Sequence, residues 1–371
     1  MSELELQSLV RLVLAGGFAA AFALGAIAQK TGFCTMGAVA DVLAFGDWTR
    51  MRQWLLAIAV AVLGTQWAAA AGWIDTANSI YTAPRLTWLA SVVGGVLFGF
   101  GMVLAGGCGL KSLVRLGGGS LKALVVVIVL GLVAFMTLRG WLALVRVNWI
   151  EPAHLVLPAR QDLPSLLAHA FGVARPTLQW LVAAAIAVPL LIFVWADRAF
   201  RRFDNLLAGL GIGVMIVVVW LISGVLGHVA EHPQTLEEAF VATQSGRMEA
   251  LSFVAPMAGA LDWLMFTSDV SKTLTLGVAA VVGVVAGSSA VAWLGGRFRW
   301  EGFASTEDTA NHLVGAALMG FGGVTALGCT IGQGVSGVST LALGSLLAFA
   351  AIVAGAALGV KYQDWRVARL S

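Results

Sequence analysis

Charged residues are scarce in this chain. Of 371 residues only 22 are basic and 19 are acidic, so 11% are charged, against about 25% in an average soluble domain. Hydrophobic residues make up 59% of the chain and the mean hydropathy is +0.91. This composition excludes a soluble enzyme and a disordered chain, and it predicts an all-α polytopic membrane protein. The net charge of only +3, from scattered basic residues, excludes a nucleic-acid-binding surface.

Cysteine is equally scarce. Cys34, Cys108 and Cys329 are the three cysteines of the chain, and they are separated by 74 and 221 residues with no CxxC pair. They therefore predict neither a disulfide framework nor a zinc site. The sequence also lacks a basic leader before its first apolar run. We therefore interpret this run as a retained helix rather than a cleaved signal peptide. No nucleotide-binding loop is recognisable, so we expect no direct coupling to ATP. We also expect no cofactor, no metal and no catalytic centre.

Long apolar runs, by contrast, are abundant. A membrane-spanning helix needs about 20 apolar residues, and the runs of that length cover residues 8–29, 53–73, 86–107, 121–145, 177–196, 205–226, 274–296, 310–328 and 342–360. They predict about nine transmembrane helices.

Four further apolar pieces are too short to span a bilayer and too apolar for free loops. They cover residues 34–46, 108–118, 251–266 and 329–341, and three of them begin at a cysteine in glycine-rich sequence. Irregular backbone at membrane depth is stable only where protein or a water-filled cavity surrounds it. We therefore predict re-entrant helices beside a pathway.

An internal repeat relates the second and third cysteines. Gly99–Gly109 reads GFGMVLAGGCG and Gly320–Thr330 reads GFGGVTALGCT, at an offset of 221 that superimposes Cys108 on Cys329. Counting spans from the basic loop at Arg198 places the N-terminus outside and the C-terminus inside. On this count the two copies run in opposite directions, as in the inverted repeats of secondary transporters.

The repeat predicts a single transmembrane domain, 1–371, made of two pseudo-symmetric, inverted halves. The first half covers about 1–145, a connecting segment covers about 146–176, and the second half covers about 177–371.

Each cysteine lies in a glycine-flanked break before a helical run. The three breaks are Thr31–Gly37, Gly106–Gly109 and Gly328–Gly332. A thiol at the start of a short helix lies beside free backbone N–H groups and the positive end of the helix dipole, which favour an anion. The S–H group is a neutral, weak donor on a polarizable sulfur. Several such weak sites in series suit transport of a sulfur-bearing anion, because each can release what it binds.

Polar and glycine residues beside these cysteines complete the predicted substrate-binding set. Lys30 lies one helical turn before Cys34, and Lys111 lies three residues after Cys108. Cys329 is instead followed, one helical turn later, by the neutral amide of Gln333. With the cysteines, the candidates are Lys30, Lys111, Gln333, Gly107, Gly109 and Gly328.

The three motifs resemble those of the YeeE/YedE family of bacterial inner-membrane sulfur transporters. The resemblance is carried, in this sequence, by Ala28–Gly37 (AQKTGFCTMG), Gly106–Gly109 (GGCG) with Gly119–Leu124 (GSLKAL), Gly328–Gly337 (GCTIGQGVSG) and Ser339–Gly344 (STLALG).

This resemblance implies an hourglass-shaped helical protein that imports thiosulfate or a related sulfur anion. It implies that Cys34, Cys108 and Cys329 line the route as transient S–H hydrogen-bonding stations. A cytoplasmic sulfurtransferase-like carrier protein is implied as a partner, and the bacterial inner membrane as the location. Some members are associated with selenium, so a selenium compound is an alternative substrate.

Two alternatives of the enzyme class remain at the sequence level. The first is a membrane enzyme that transfers sulfur through a persulfide on a nucleophilic cysteine, which Lys111 beside Cys108 would favour. The second is a zinc peptidase at the HxxEH string His228–His232. Because Pro233 follows that string at once and no soluble domain surrounds it, we interpret the string as a solvated loop.

Overall fold

The computed structural model describes residues 3–269 and 272–370, and these residues form an all-α membrane protein. The described α-helices are α1 (Glu3–Thr31), α2 (Thr35–Phe45), α3 (Thr49–Ala70), α4 (Trp88–Leu104), α5 (Gly109–Gly117), α6 (Leu121–Arg139), α7 (Trp141–Val145), α8 (Leu163–Phe171), α9 (Arg175–Trp195), α10 (Phe203–Leu221), α11 (Val254–Met265), α12 (Leu276–Leu294), α13 (Thr306–Thr325) and α14 (Leu343–Leu370). Two small antiparallel ribbons lie in the connections, β1 (Arg85–Leu86) with β2 (Leu155–Val156), and β3 (His228–Val229) with β4 (Ala239–Phe240).

Every run predicted to span the membrane coincides with a helix, namely α1, α3, α4, α6, α9, α10, α12, α13 and α14. Eight helical stretches of the described chain are long and apolar enough to cross a membrane. Helix α13 is the predicted span outside that set, because Glu307, Asp308 and His312 lower the hydropathy of its first two turns. It packs against α4 and α6, so protein rather than lipid surrounds much of its surface.

The four short apolar pieces are short helices, as predicted. Helices α2, α5 and α11 have 11, 9 and 12 residues, too few to cross a bilayer. The fourth piece is helical from 330 to 339 and widens to π-helical geometry over Gly332–Gly337. Such π-segments are rare and are frequent at functional sites.

Helix packing pairs the elements of α1–α6 with those of α10–α14. Helix α1 packs on α12, and α10 packs on α3. In the same way, α4 packs on α14, and α13 packs on α6. Helices α7, α8 and α9 fall between these two groups in the chain. Helix α9 adds one long apolar helix between them.

The close contact between α4 and α13 depends on four glycines. A Cβ atom on Gly94 would lie 2.6 Å from the Gly322 oxygen, and one on Gly101 would lie 2.7 Å from the Gly315 oxygen. The two helices are therefore antiparallel with their backbones in contact, as small residues permit. The repeat offset of 221 converts Gly94 to Gly315 and Gly101 to Gly322. This exchange of partners is what a two-fold axis between α4 and α13 generates.

Candidate functional site

The same backbone turn precedes all three cysteines. Two residues before each cysteine the backbone is left-handed, with φ of 68° at Gly32, 69° at Gly106 and 58° at Leu327. A left-handed residue reverses the chain at the end of a helix, so the next helix begins at once, just after the cysteine. Leu327 adopts this conformation without the freedom of glycine, and such strain is typical of functional sites.

This turn gives a stability prediction for Gly32. We expect Gly32→Ala to lower the free energy of unfolding by about 1 to 2 kcal/mol, because an L-residue at this φ brings its Cβ against the following carbonyl oxygen. The matched control is Gly302→Ala. Both glycines have open space where a Cβ would go, but the φ of Gly302 is not left-handed. Thermal unfolding of purified protein in detergent measures the difference, and equal stability of the two variants would contradict the left-handed turn.

Two of the three thiols cap the short helices that they precede. Cys34 Sγ accepts a hydrogen bond from the Gly37 N–H at 3.4 Å, and Cys329 Sγ accepts one from the Gly332 N–H at 3.4 Å. Cys108 occupies the same N-cap position without such a bond. All three cysteines are buried and unpaired by disulfides. The predicted placement of thiols beside free backbone N–H groups is confirmed for Cys34 and Cys329.

The first two cysteine motifs lie side by side. The Thr35 hydroxyl, next to Cys34, donates to Cys108 Sγ at 3.9 Å. The segment before α11 lies between the second motif and the third. A Cβ on Gly109 would lie 3.7 Å from Phe253 Cβ, and a Cβ on Gly332 would lie 2.6 Å from the Ser252 hydroxyl. The four short helices therefore begin around a common centre.

A cavity of about 340 Å³ opens beside the Cys329 turn. It is bounded by the end of α6, the start of α12 and the connections before α4 and α11, and we call it the α6-end cavity. Glu249 lines it and accepts hydrogen bonds from the N–H groups of Ser245 at 2.7 Å and Gln244 at 3.2 Å. Burial nevertheless raises the pKa of Glu249 above its usual value. The other polar and turn-forming residues that line the α6-end cavity include Tyr81, Arg139, Ser252, Leu327 and Gly328.

A much smaller pocket, of about 20 Å³, adjoins this cavity and is lined by Gln333. Tyr81 and Leu327 line both spaces, while Ser91 and Ser345 line only the smaller one. Gln333 Nε2 donates to the Ala326 oxygen at 2.5 Å. Gln333 Oε1 is buried and has no hydrogen-bond partner among the described residues. The predicted site residue Gln333 thus lines a small pocket that shares Tyr81 and Leu327 with the α6-end cavity.

A second cavity, of about 430 Å³, opens at the other end of α6, beside the end of α5. We call it the α6-start cavity. Arg115 lines it and donates from Nη1 to the Gly106 oxygen at 3.1 Å, which ties a guanidinium directly to the cysteine turn. Arg297 and Arg299 line the same cavity, together with one carboxylate, Glu301. Its lining therefore carries more positive than negative charge, which attracts anions.

The remaining predicted residues separate into two groups. Gly107, Gly109 and Gly328 form the cysteine turns, and Lys111 packs its aliphatic chain against Gly107. Lys30 does not join them within the described contacts. It is exposed, and its ammonium lies 5.3 Å from the centroid of the Phe203 ring on α10.

The HxxEH string forms no metal centre in the part of the chain that the structure describes. His228 Nε2 lies 2.8 Å from the carboxylate of Glu238, the residue just before β4. No group of three or more His, Cys, Asp or Glu side chains suited to a metal ion occurs in the described residues.

Three cavity residues, Tyr81, Arg139 and Ser252, are not among the site residues that the sequence predicts. Tyr81 lies in a connection, while Arg139 and Ser252 lie inside the apolar runs 121–145 and 251–266, which predict helices but single out no polar residue. The one available signal is rarity, since Tyr81 is one of only two tyrosines in the chain.

Comparison with known proteins gives consistent results. A family model described as sulphur transport matches residues 30–358. A protein named thiosulfate transporter TsuA from Escherichia coli is 28% identical over 325 residues, covering 84% of each chain. A protein of the same name from Spirochaeta thermophila is 26% identical over 346 residues, covering 90% of this chain and 93% of the relative.

Proposed function

This chain belongs to the YeeE/YedE sulphur-transport family, and on that premise we propose that it carries thiosulfate across the membrane. Its two named relatives are thiosulfate transporters that match it over most of their length. Family and relatives are transporters, so we assign the chain a transport step and no chemical reaction.

The observation that carries the proposal is the threefold repetition of one local structure. Cys34, Cys108 and Cys329 each follow a left-handed residue by two positions and each precede a helix too short to span a membrane. Thiosulfate presents a terminal sulfur and three oxygens that share two negative charges. A buried neutral thiol beside backbone N–H groups offers such an anion weak hydrogen bonds without a fixed opposite charge. Weak sites in series allow both entry and release.

We place the route between the two cavities. The anion enters the α6-end cavity, passes Cys329, then Cys108 and Cys34, and leaves through the α6-start cavity. The arginines of the α6-start cavity support this direction, because an excess of basic residues marks the cytoplasmic side of membrane proteins. The candidate binding residues at the turns are Gly107, Gly109, Gly328, Lys111 and Gln333.

The two inverted halves, the bacterial inner membrane and a cytoplasmic sulfurtransferase-like carrier protein complete the proposal. The exchange of glycine partners between α4 and α13 supports the inversion. With that packing, we assign α1–α6 and α10–α14 to the repeats and α9 to the link between them. A carrier that removes thiosulfate at the cytoplasmic mouth would keep its internal concentration low and so sustain uptake.

Uptake of radiolabelled thiosulfate into proteoliposomes tests the proposed function. We expect uptake above that of protein-free liposomes, with competition by unlabelled thiosulfate and weaker competition by sulfate, which lacks the terminal sulfur. A selenium oxyanion in the same competition series tests the alternative substrate. Uptake equal to that of protein-free liposomes would contradict the proposal, and stronger competition by the selenium compound would reassign the substrate.

A further inference from the structure

Tyr81 lies in the connection between α3 and α4, where the surrounding structure fixes its position. Its backbone N–H donates to the Ser79 hydroxyl at 3.3 Å. Its ring stands edge-on to Trp220, with 6.2 Å between ring centroids. Trp220 is itself fixed, because its indole N–H donates to the Ser339 hydroxyl at 3.0 Å. The phenol is therefore held in place at only 4% exposure.

The phenolic oxygen of Tyr81 has no hydrogen-bond partner among the described residues. A fully buried tyrosine hydroxyl normally finds a partner, and the Tyr81 oxygen, which is not among the solvent-excluded atoms without a partner, faces open space. Tyr81 instead lines both the α6-end cavity and the small pocket beside Gln333. Leu327 also lines both spaces. Leu327 and Gly328, which directly precede Cys329, line the same α6-end cavity, so an anion that reaches the third cysteine turn through this cavity shares its space with Tyr81.

The chemistry of the phenol suits this position. Burial raises the pKa of Tyr81, and the nearby Cys329 and Glu249 raise it further. The hydroxyl thus keeps its proton and remains a donor at physiological pH. An O–H donor is stronger than an S–H donor, and it matches the oxygens of a sulfur oxyanion better than the terminal sulfur.

We propose that Tyr81 is a substrate-binding residue at the entrance to the cysteine pathway, where its O–H group donates to an oxygen of the passing sulfur oxyanion. This inference rests on the proposed transport function. It adds an oxygen-recognising donor to the sulfur-recognising thiols, so the two ends of thiosulfate meet different partners. Among the described residues, the α6-end cavity holds one cation, Arg139, and one acidic side chain, Glu249.

The test compares Tyr81→Phe with Tyr362→Phe, the same change at the other tyrosine of the chain. Tyr362 lies near the end of α14, where its ring packs on Phe100 and Trp365. We expect Tyr81→Phe to raise the KM for thiosulfate uptake about tenfold, the effect of losing one hydrogen bond to a charged group. Its unfolding temperature should equal or exceed that of the parent, because no bond within the fold is lost. Tyr362→Phe should match the parent in both measurements.

Two results would overturn the inference while leaving thiosulfate transport intact. One is an unchanged KM in Tyr81→Phe. The other is a fall in its unfolding temperature that accompanies the loss of uptake, since that would place the hydroxyl in a bond within the fold. Absence of uptake by the parent protein would instead overturn the proposed function, so the two failures are distinguishable.

Discussion

Cys108→Ala is expected to lower thiosulfate uptake about tenfold while its unfolding temperature stays within about 2 °C of the parent. The reason lies in the different bonds of the three thiols. Cys108 Sγ is buried and caps no helix, and among the described residues its one hydrogen bond is the long 3.9 Å contact from the Thr35 hydroxyl. Its removal therefore costs the fold little but removes one donor from the route. Proteoliposome uptake and thermal unfolding of the same preparation measure the two effects.

The other cysteines provide the comparison. Cys329→Ala should lower both uptake and the free energy of unfolding, the latter by about 1 kcal/mol, because the Gly332 N–H loses its acceptor. Cys108→Ser keeps a donor at the same place and should retain more uptake than Cys108→Ala. A rate of uptake by Cys108→Ala equal to that of the parent protein would contradict the proposed role of this thiol. A covalent sulfur adduct on any of the three, detected by mass spectrometry after thiosulfate treatment, would favour the persulfide enzyme.

Gly322→Leu is expected to prevent folding. A Cβ at this position would lie 2.6 Å from the Gly94 oxygen and 2.6 Å from the Phe98 nitrogen, both backbone atoms of α4. Such atoms cannot move aside without separating α4 from α13, and the same contact recurs at Gly101 and Gly315. We expect a loss of more than about 4 kcal/mol, the range reserved for severe core disruption. The measurement is the yield of monodisperse protein in detergent by size-exclusion chromatography.

Gly302→Leu is the matched control for this prediction. It introduces the same side chain at a glycine with nothing within 4 Å of a Cβ, so we expect a change within about 0.5 kcal/mol. If Gly322→Leu yields as much monodisperse protein as Gly302→Leu, α4 and α13 do not meet through these glycines.

Local sequence patterns were sufficient to predict the long apolar helices and the four short ones, but not α8 in the connecting segment. Apolar length separates spanning helices from short ones, since a bilayer imposes a minimum length. The run at 251–266 contains no cysteine, yet its length alone predicted α11. Glycine marked the turns at Gly32 and Gly106, because only glycine adopts the left-handed conformation without cost.

The features that the sequence did not reveal depend on contacts between distant segments. Leu327 takes the left-handed position in the third motif, and a leucine there predicts no turn. Lys30 lies beside Cys34 in the chain, but its helix directs it towards Phe203. Tyr81 is more than 240 residues from Leu327 in the sequence. Only tertiary packing brings both side chains into the lining of the α6-end cavity and of the small pocket beside Gln333.

Four short helices meet at the centre, but only three begin after a cysteine. In the fourth, Phe253 precedes α11 as Cys34 precedes α2. Inverted halves with identical linings would present the same affinity to an anion arriving from either side. Phe253 breaks this equality, because it removes one thiol from the half that holds Cys329. The outer and inner faces of the transporter are then free to saturate at different thiosulfate concentrations. The final thiosulfate gradient across the membrane still depends only on what drives or removes the anion.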